Sequence, residues 1–283
     1  MLDAHVHYWD PGRFDYPWLR PHPRLARAFL PGDLLTHLGA APRVAGVLVV
    51  QADCRWDQAE AEVAWVEELA ATAPPIRGMV AAAPLERGRA CAELLAALAR
   101  RPLVVGVRRL LEGEAAGFAR SPEFVQGTRL LAGHELVSDL CIRHDQFAEV
   151  IELVRRCPDV SFVLDHLGKP DIAAGRFRPW ADDLATLAAF PNVHAKLSGL
   201  TREAGPHWRP ETVLPYLSHA LETFTPRRCL FGSDWPVVTL HATYAQWVDV
   251  VAEALDGLTP QDQADVLGGT AGRLYRLADP ITA

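Results

Sequence analysis

The chain has 283 residues, of which 49% are hydrophobic and 22% are charged, a composition that excludes a disordered protein. Its formal net charge of −7 argues against binding to nucleic acid or to an anionic membrane surface. No apolar run approaches the roughly 20 residues needed to span a bilayer, and the N-terminus has no secretory signal pattern. The five cysteines form no CxxC pair, which predicts reduced thiols in a cytoplasmic protein.

Short apolar runs alternate with longer amphipathic stretches along the chain. The apolar runs predict eight strands, at Leu2–Val6, Val44–Val50, Ile76–Ala83, Leu103–Val107, Glu135–Ile142, Ser161–Asp165, Val193–Leu197 and Arg228–Phe231. The other stretches predict helices at Asp57–Ala73, Ala90–Arg101, Pro122–Ala132, Asp145–Cys157, Trp180–Phe190, Pro210–Phe224 and Tyr244–Leu255. Eight alternating units in about 250 residues favour an α/β fold, a single-domain (β/α)₈ barrel over residues 1–283. An open doubly wound sheet is the alternative, but no glycine-rich dinucleotide fingerprint follows the first strand.

Polar side chains stand at the carboxyl ends of the predicted strands, where (β/α)₈ barrels form their active sites. The first strand ends in a His-Val-His run, and because strand side chains alternate, His5 and His7 can both point into the barrel mouth. Two converging imidazoles can hold a metal ion or bind an oxyanion. The alternative is a pair of histidines that satisfy only local hydrogen bonds.

The second and fourth strands end in candidate substrate contacts. Gln51 follows the second strand, although Asp53 or Asp57 there can equally cap the next helix. Arg108 and Arg109 end the fourth strand, and because neighbours on a strand face opposite ways, one of them faces the mouth. An arginine in this place binds a carboxylate or polarises a carbonyl through its planar guanidinium. A surface salt bridge is the alternative, more so for Arg109.

Lysine, histidine and aspartate side chains follow or end the last three predicted strands. Only two of the 28 basic residues are lysines, and both Lys169 and Lys196 fall at strand ends. His166 emerges directly after the sixth strand, and we interpret it as functional. Asp234 follows the eighth strand and stands too far before the next helix to cap it, so we predict that it is the catalytic base. Trp235 beside it can form an apolar wall against a sugar ring, with ordinary packing as the alternative.

Several long motifs in the chain resemble those of one known family. The segments DAHVHYWDP, GVRRLLEG, FVLDHLGKPDI, PNVHAKLSGL and LFGSDWPV occur in this order at strand ends. They resemble the lactonase-like branch of the amidohydrolase superfamily, also called amidohydrolase 2, from Leu2 to about Arg276. The resemblance implies a distorted (β/α)₈ barrel and a hydrolase that opens the ring ester of a sugar-acid lactone, such as L-fuconolactone or L-rhamnonolactone.

The resemblance also implies roles for particular residues. Asp234 matches the catalytic aspartate after strand eight, and His166 matches the histidine of strand six. Arg108 matches an arginine that contacts the substrate. Lys196 lies in the K-L-S-G run of strand seven, and we expect it to bind ring hydroxyls or the carboxylate end of the substrate.

A metal ion is part of the same expectation. The resemblance implies a single divalent site, with Zn²⁺ as the cation, held by His5, His7, His166 and Asp234. An arginine, Arg108, stands on strand four where a binuclear centre has a carboxylated lysine, which argues against two metals. Members of this branch differ in whether they require a metal, so metal-independent catalysis is the alternative.

The sequence is also compatible with two functions other than a lactonase. A metal-dependent decarboxylase of the same superfamily would use a similar barrel, and a non-catalytic sugar-acid binding protein would use the barrel as a scaffold only. The sequence leaves both a monomer and a homo-oligomer open. Substrate specificity is expected in four strand-end loops, at Tyr8–Pro31, Leu110–Arg120, Pro170–Pro179 and Thr201–Pro210.

Overall fold

Eight parallel strands follow one another in chain order around a barrel in the computed structural model, which describes residues 1–38, 44–70 and 75–277. The strands are β1 (Leu2–Val6), β2 (Gly46–Val50), β3 (Ile76–Ala82), β4 (Val104–Arg108), β5 (Val137–Leu140), β6 (Phe162–Leu164), β7 (Val193–Leu197) and β8 (Cys229–Phe231). The barrel closes just beyond β8, where Val6 forms a parallel bridge with Trp235 and the Asp234 N–H donates to the His5 carbonyl at 2.9 Å. The predicted (β/α)₈ barrel is therefore confirmed.

Helices connect the strands and cover the outside of the barrel. They are α1 (Pro31–Leu38), α2 (Ala59–Leu69), α3 (Ala92–Ala99), α4 (Pro122–Leu130), α5 (Phe147–Arg156), α6 (Trp180–Ala188), α7 (Leu200–Ala204), α8 (Pro210–Phe224), α9 (Tyr244–Ala254), α10 (Pro260–Ala264) and α11 (Thr270–Leu274). Within the described ranges, no helix has both the length and the apolar character needed to cross a membrane.

Two predicted elements differ from the structure in an informative way. The helix predicted over Asp57–Ala73 begins as a tight turn at Trp56 and becomes α-helical at Ala59, and its predicted end, 71–73, lies outside the described residues. The strand predicted over Ser161–Asp165 ends at Leu164, because the backbone turns sharply from Asp165 onward.

The barrel interior is apolar at its amino end. Leu2, Val137 and Leu230 pack there against Ala271 and Tyr275 of the C-terminal helical segment, which plugs this end. Towards the carboxyl end of the strands the interior becomes polar. The functional side chains therefore stand above a closed hydrophobic floor.

Candidate metal centre and substrate pocket

The two histidines of β1 converge as the sequence predicts. The register of β1 against β2 shifts between Asp3 and Val6, an irregularity that lies next to His5. The His7 Nδ1–H donates to the Val50 carbonyl at 2.7 Å, and because a carbonyl can only accept, the lone pair of His7 is at Nε2. His5 Nε2 lies 3.2 Å from this atom.

Asp234 joins His5 and His7 in one compact group of possible ligands, and His166 belongs to a second such group, with His5 and Asp165. Asp234 Oδ1 lies 3.5 Å from His7 Nε2, 3.8 Å from His5 Nε2 and 3.9 Å from His166 Nε2. A tetrahedral Zn²⁺ with bonds of about 2.0–2.1 Å places its ligand atoms about 3.3 Å apart, which is close to these spacings. His166 Nδ1 is oriented by the Ser198 hydroxyl at 2.8 Å, as outer-shell partners commonly orient metal-binding histidines. His5, His7 and Asp234 could therefore hold one divalent cation, and His166, 3.9 Å from Asp234, is a further candidate ligand.

The protonation states of these groups favour metal binding. Burial lowers the pKa of His5 well below its ordinary value, although Asp165 acts in the opposite direction. Burial also lowers the pKa of His166 to about 4, so both imidazoles are neutral at pH 7. Burial opposes the charge on Asp234, but the charge that His166 carries when protonated and a hydrogen bond with His7 hold the pKa of this carboxyl below its ordinary value. Neutral imidazole and ionised carboxylate are the forms that coordinate a cation.

A second layer of buried charge lies directly beneath these donors. The Lys196 ammonium is completely buried and contacts Asp139, Asp165 Oδ1 at 3.1 Å and His5 Nδ1 at 3.3 Å. Burial alone would favour the neutral amine, but Asp139 and Asp165 raise the pKa of Lys196, so it is charged. Arg108 donates to Asp165 Oδ2 at 3.2 Å. This network fixes the far side of the His5 ring.

A cavity of about 220 Å³ opens in front of the candidate metal ligands. His7, Arg108, His166 and Asp234 line it, so the structure brings four sequence-predicted site residues to one wall. The cavity is smaller than the ~300–1,000 Å³ of pockets for drug-sized ligands, which suits a small substrate. His5 stands just behind the wall, fully buried.

Three predicted substrate contacts lie outside this cavity lining, and their roles are revised. Lys196 is the buried ion described above. Gln51 is 3% exposed, its side-chain oxygen accepts from the Asp53 N–H, and its carbonyl accepts from Arg108 at 2.7 Å. Trp235 is fully buried and its ring packs edge-on against Tyr8. Each of the three supports the site from behind because its side chain is packed away from the cavity.

Other cavity residues were not singled out as site residues from the sequence. Trp18 and His22 come from the loop after β1, Glu112 from the loop after β4, and Arg202 and Glu203 from α7. All five fall within three of the four loops expected to carry specificity. Their position in strand-end loops was the signal that the sequence offered. That position does not indicate which side chains face the cavity.

The barrel and its converging histidine and aspartate side chains define a (β/α)₈ protein with a site suited to one divalent cation. The chain belongs to the amidohydrolase family, whose model matches residues 2–277, and the family resemblance predicted from the sequence is confirmed. It is 34% identical over 298 residues to an L-fucono-1,5-lactonase of Burkholderia multivorans, covering 100% of this chain and 98% of the relative. It is 32% identical to an L-fucono-1,5-lactonase of Burkholderia ambifaria, covering 99% of this chain and 96% of that one.

Solved structures agree with this assignment. A crystal structure of an amidohydrolase from Burkholderia multivorans with bound Zn is 32% identical, with a TM-score of 0.87, covering 98% of this chain and 99% of that one. A structure of 2,6-dihydroxybenzoate decarboxylase is only 15% identical, with a TM-score of 0.65 over 97% of both chains, a likeness that shows the fold alone.

Proposed function

We propose that this protein is a Zn²⁺-dependent lactonase that opens the ring ester of a sugar-acid lactone. The observation that carries the proposal is the convergence of His5, His7 and Asp234, with His166 near Asp234, beside a small cavity. The full-length similarity to proteins named L-fucono-1,5-lactonase supports the substrate class. It is the function that the sequence motifs predicted.

His5, His7 and Asp234, with His166 as a further candidate, are the residues that would hold the metal. When bound, a Zn²⁺ ion supplies positive charge that polarises a carbonyl and lowers the pKa of water. Water is the nucleophile in lactone hydrolysis, and Asp234, which is ionised and lines the cavity, accepts a proton from it. The water oxygen bonds to the lactone carbonyl carbon, and the ring C–O bond breaks. Asp234 then returns the proton to the leaving alkoxide, which yields the open hydroxy acid.

Arg108 is the proposed substrate contact of the original set. Two of its N–H groups are committed, to Asp165 and to the Gln51 carbonyl, while its Nε has no hydrogen-bond partner among the described residues. The side chain is only 4% exposed, and that exposed part lines the cavity. A buried guanidinium held in this way can meet the oxygen atoms of a substrate with little loss of side-chain entropy.

A lactone panel followed with a pH indicator tests the proposal. We expect L-fucono-1,5-lactone or a related aldonolactone to open well above its spontaneous rate, with loss of activity after chelation and recovery on adding Zn²⁺. A protein that opens none of the lactones contradicts the lactonase. Full activity after verified metal removal contradicts only the metal requirement, and the lactonase assignment stands.

Two further readouts separate the other functions. Release of CO₂ from hydroxybenzoates, with loss of their ultraviolet absorbance, would indicate a decarboxylase. Calorimetric binding of the lactone and its open acid with equal affinity, without turnover, would indicate a binding protein.

A further inference from the structure

The residues after β6 form a left-handed turn that brings two functional side chains to the cavity. His166, Leu167, Gly168 and Lys169 have φ values of 53°, 52°, 71° and 50°. This region is unfavourable for residues with a side chain, and such strain persists where the surroundings enforce it. A Cβ on Gly168 would lie 2.5 Å from the Phe147 ring, so only glycine fits there.

A hydrogen bond within the turn and contacts from outside hold it in place. The Trp180 indole N–H donates to the Leu167 carbonyl at 2.7 Å, and the Lys169 N–H donates to the His166 carbonyl at 2.9 Å. His144 Nδ1 lies 3.2 Å from the Lys169 carbonyl. The metal-site histidine and Lys169 are therefore positioned by one rigid unit, and both line the cavity.

Lys169 is the first of the two lysines in the chain, and the proposed chemistry does not use it. It is 7% exposed, and its ammonium pairs with the Glu112 carboxylate from the loop after β4. An ammonium has three N–H donors, and among the described residues Glu112 is its hydrogen-bond partner. Two donors therefore remain for a molecule in the cavity, which Glu112 also lines.

The pair has the chemistry to recognise hydroxyl groups. A sugar hydroxyl both donates and accepts a hydrogen bond, and an adjacent carboxylate and ammonium supply one acceptor and one donor. An anionic substituent would instead meet the Glu112 charge, because this carboxylate already neutralises the ammonium. The exposed Arg143 guanidinium lies 3.5 Å from the other carboxylate oxygen, Glu112 Oε1, and does not line the cavity.

We infer that Glu112 and Lys169 form a specificity subsite that binds ring hydroxyls of a neutral lactone beside the metal centre. The inference rests on the proposed lactonase function and adds to it the residues that distinguish polyhydroxylated from plain lactones. A site built to hydrogen-bond a hydroxyl discriminates strongly against a substrate that lacks it, because its buried polar groups are then left unpaired.

The test compares two lactones rather than one. We would measure kcat/KM for L-fucono-1,5-lactone and for δ-valerolactone, which has no ring hydroxyls, in the Zn²⁺-loaded wild type and in Lys169→Met and Glu112→Gln. We expect the ratio of the two values to fall about tenfold to hundredfold in Lys169→Met, the size of hydrogen bonds to a charged group. Glu112→Gln keeps the fold and part of the acceptor, so a smaller fall is expected.

Arg143→Met is the matched control, since it removes a cation from the same Glu112 without touching the cavity. Its kcat/KM ratio for the two lactones should stay within about twofold of wild type, and a melting curve of each variant should show that it is folded at the assay temperature. If kcat/KM falls by the same factor for both lactones in Lys169→Met, Lys169 only positions the turn, and the proposed subsite is contradicted. A wild type that opens neither lactone contradicts the proposed function itself.

Discussion

Replacing Lys196 with methionine distinguishes a buried structural ion from a substrate contact. The ammonium is completely buried between Asp139 and Asp165, and methionine fills a similar volume without the charge. After the substitution Asp165 keeps Arg108 at 3.2 Å. Asp139 keeps the Tyr275 hydroxyl at 2.8 Å, a neutral partner. The variant therefore leaves one buried carboxylate without an adjacent cation.

The expected loss of stability is large for a single substitution. Removing one partner of a buried ion pair costs about 3–5 kcal/mol. For a chain of this size each kcal/mol lowers Tm by about 2–4 °C, so we expect a fall of about 6–20 °C. Adding Asp139→Asn removes the uncompensated charge and keeps an acceptor for Tyr275. The double variant should recover at least about 1 kcal/mol, as contacting residues usually couple in this range.

Urea unfolding and thermal melting of the three proteins measure these differences, and lactone kinetics are taken in parallel. Arg155→Met is the control, because Arg155 forms an exposed ion pair with Glu152 and should change stability by less than about 1 kcal/mol. A Lys196→Met variant with wild-type unfolding free energy and a raised KM would refute the reasoning. It would return Lys196 to the role of a substrate contact.

Three other predictions follow from the same geometry. Asp234→Asn, assayed at saturating Zn²⁺, should lower kcat by about 10²–10⁴-fold with little change in KM, and a folded variant with near wild-type turnover would remove Asp234 as the base. His166→Asn should weaken Zn²⁺ binding, measured by competition with a chromogenic chelator, and lower kcat; unchanged affinity would exclude it as a ligand. Burial raises the pKa of Glu62 to about 7 from its ordinary 4.5. The folded protein then holds the Glu62 proton more tightly than the unfolded chain, so stability should fall by about 3 kcal/mol as pH rises from about 4.5 to 7. Between pH 5 and pH 8, urea unfolding should show a smaller fall in unfolding free energy for Glu62→Gln than for the wild type. An equal fall in both proteins would contradict this prediction.

Much of the barrel fold could be predicted from the sequence because it depends on local sequence patterns. Apolar runs separated by amphipathic stretches indicated all eight strands, and the fold then directed attention to strand ends. His5, His7, His166 and Asp234 were found in this way. Their polar side chains directly follow or end apolar strands, which is unusual unless the residues have a function or a buried partner.

The remaining features depend on contacts between distant segments. Alternation indicates the face of a strand but not the depth of a side chain, so Lys196 was placed at the substrate although it lies beneath the metal centre. Its partners Asp139 and Asp165 come from other strands. The left-handed turn at 166–169 opposes the local preference of Leu167 and is enforced by packing. No local pattern signals such a turn.

The closure between β1 and the segment after β8 has a consequence for the order in which the protein is made. His5 and His7 are synthesised before the rest of the barrel, whereas Asp234 follows the eighth strand, and its N–H donates to the His5 carbonyl. The nascent chain therefore contains His5 and His7 long before His166 and Asp234 have been synthesised. Tight metal binding by the proposed site requires the closed barrel, so a metal bound there stabilises only chains in which all eight strands have formed.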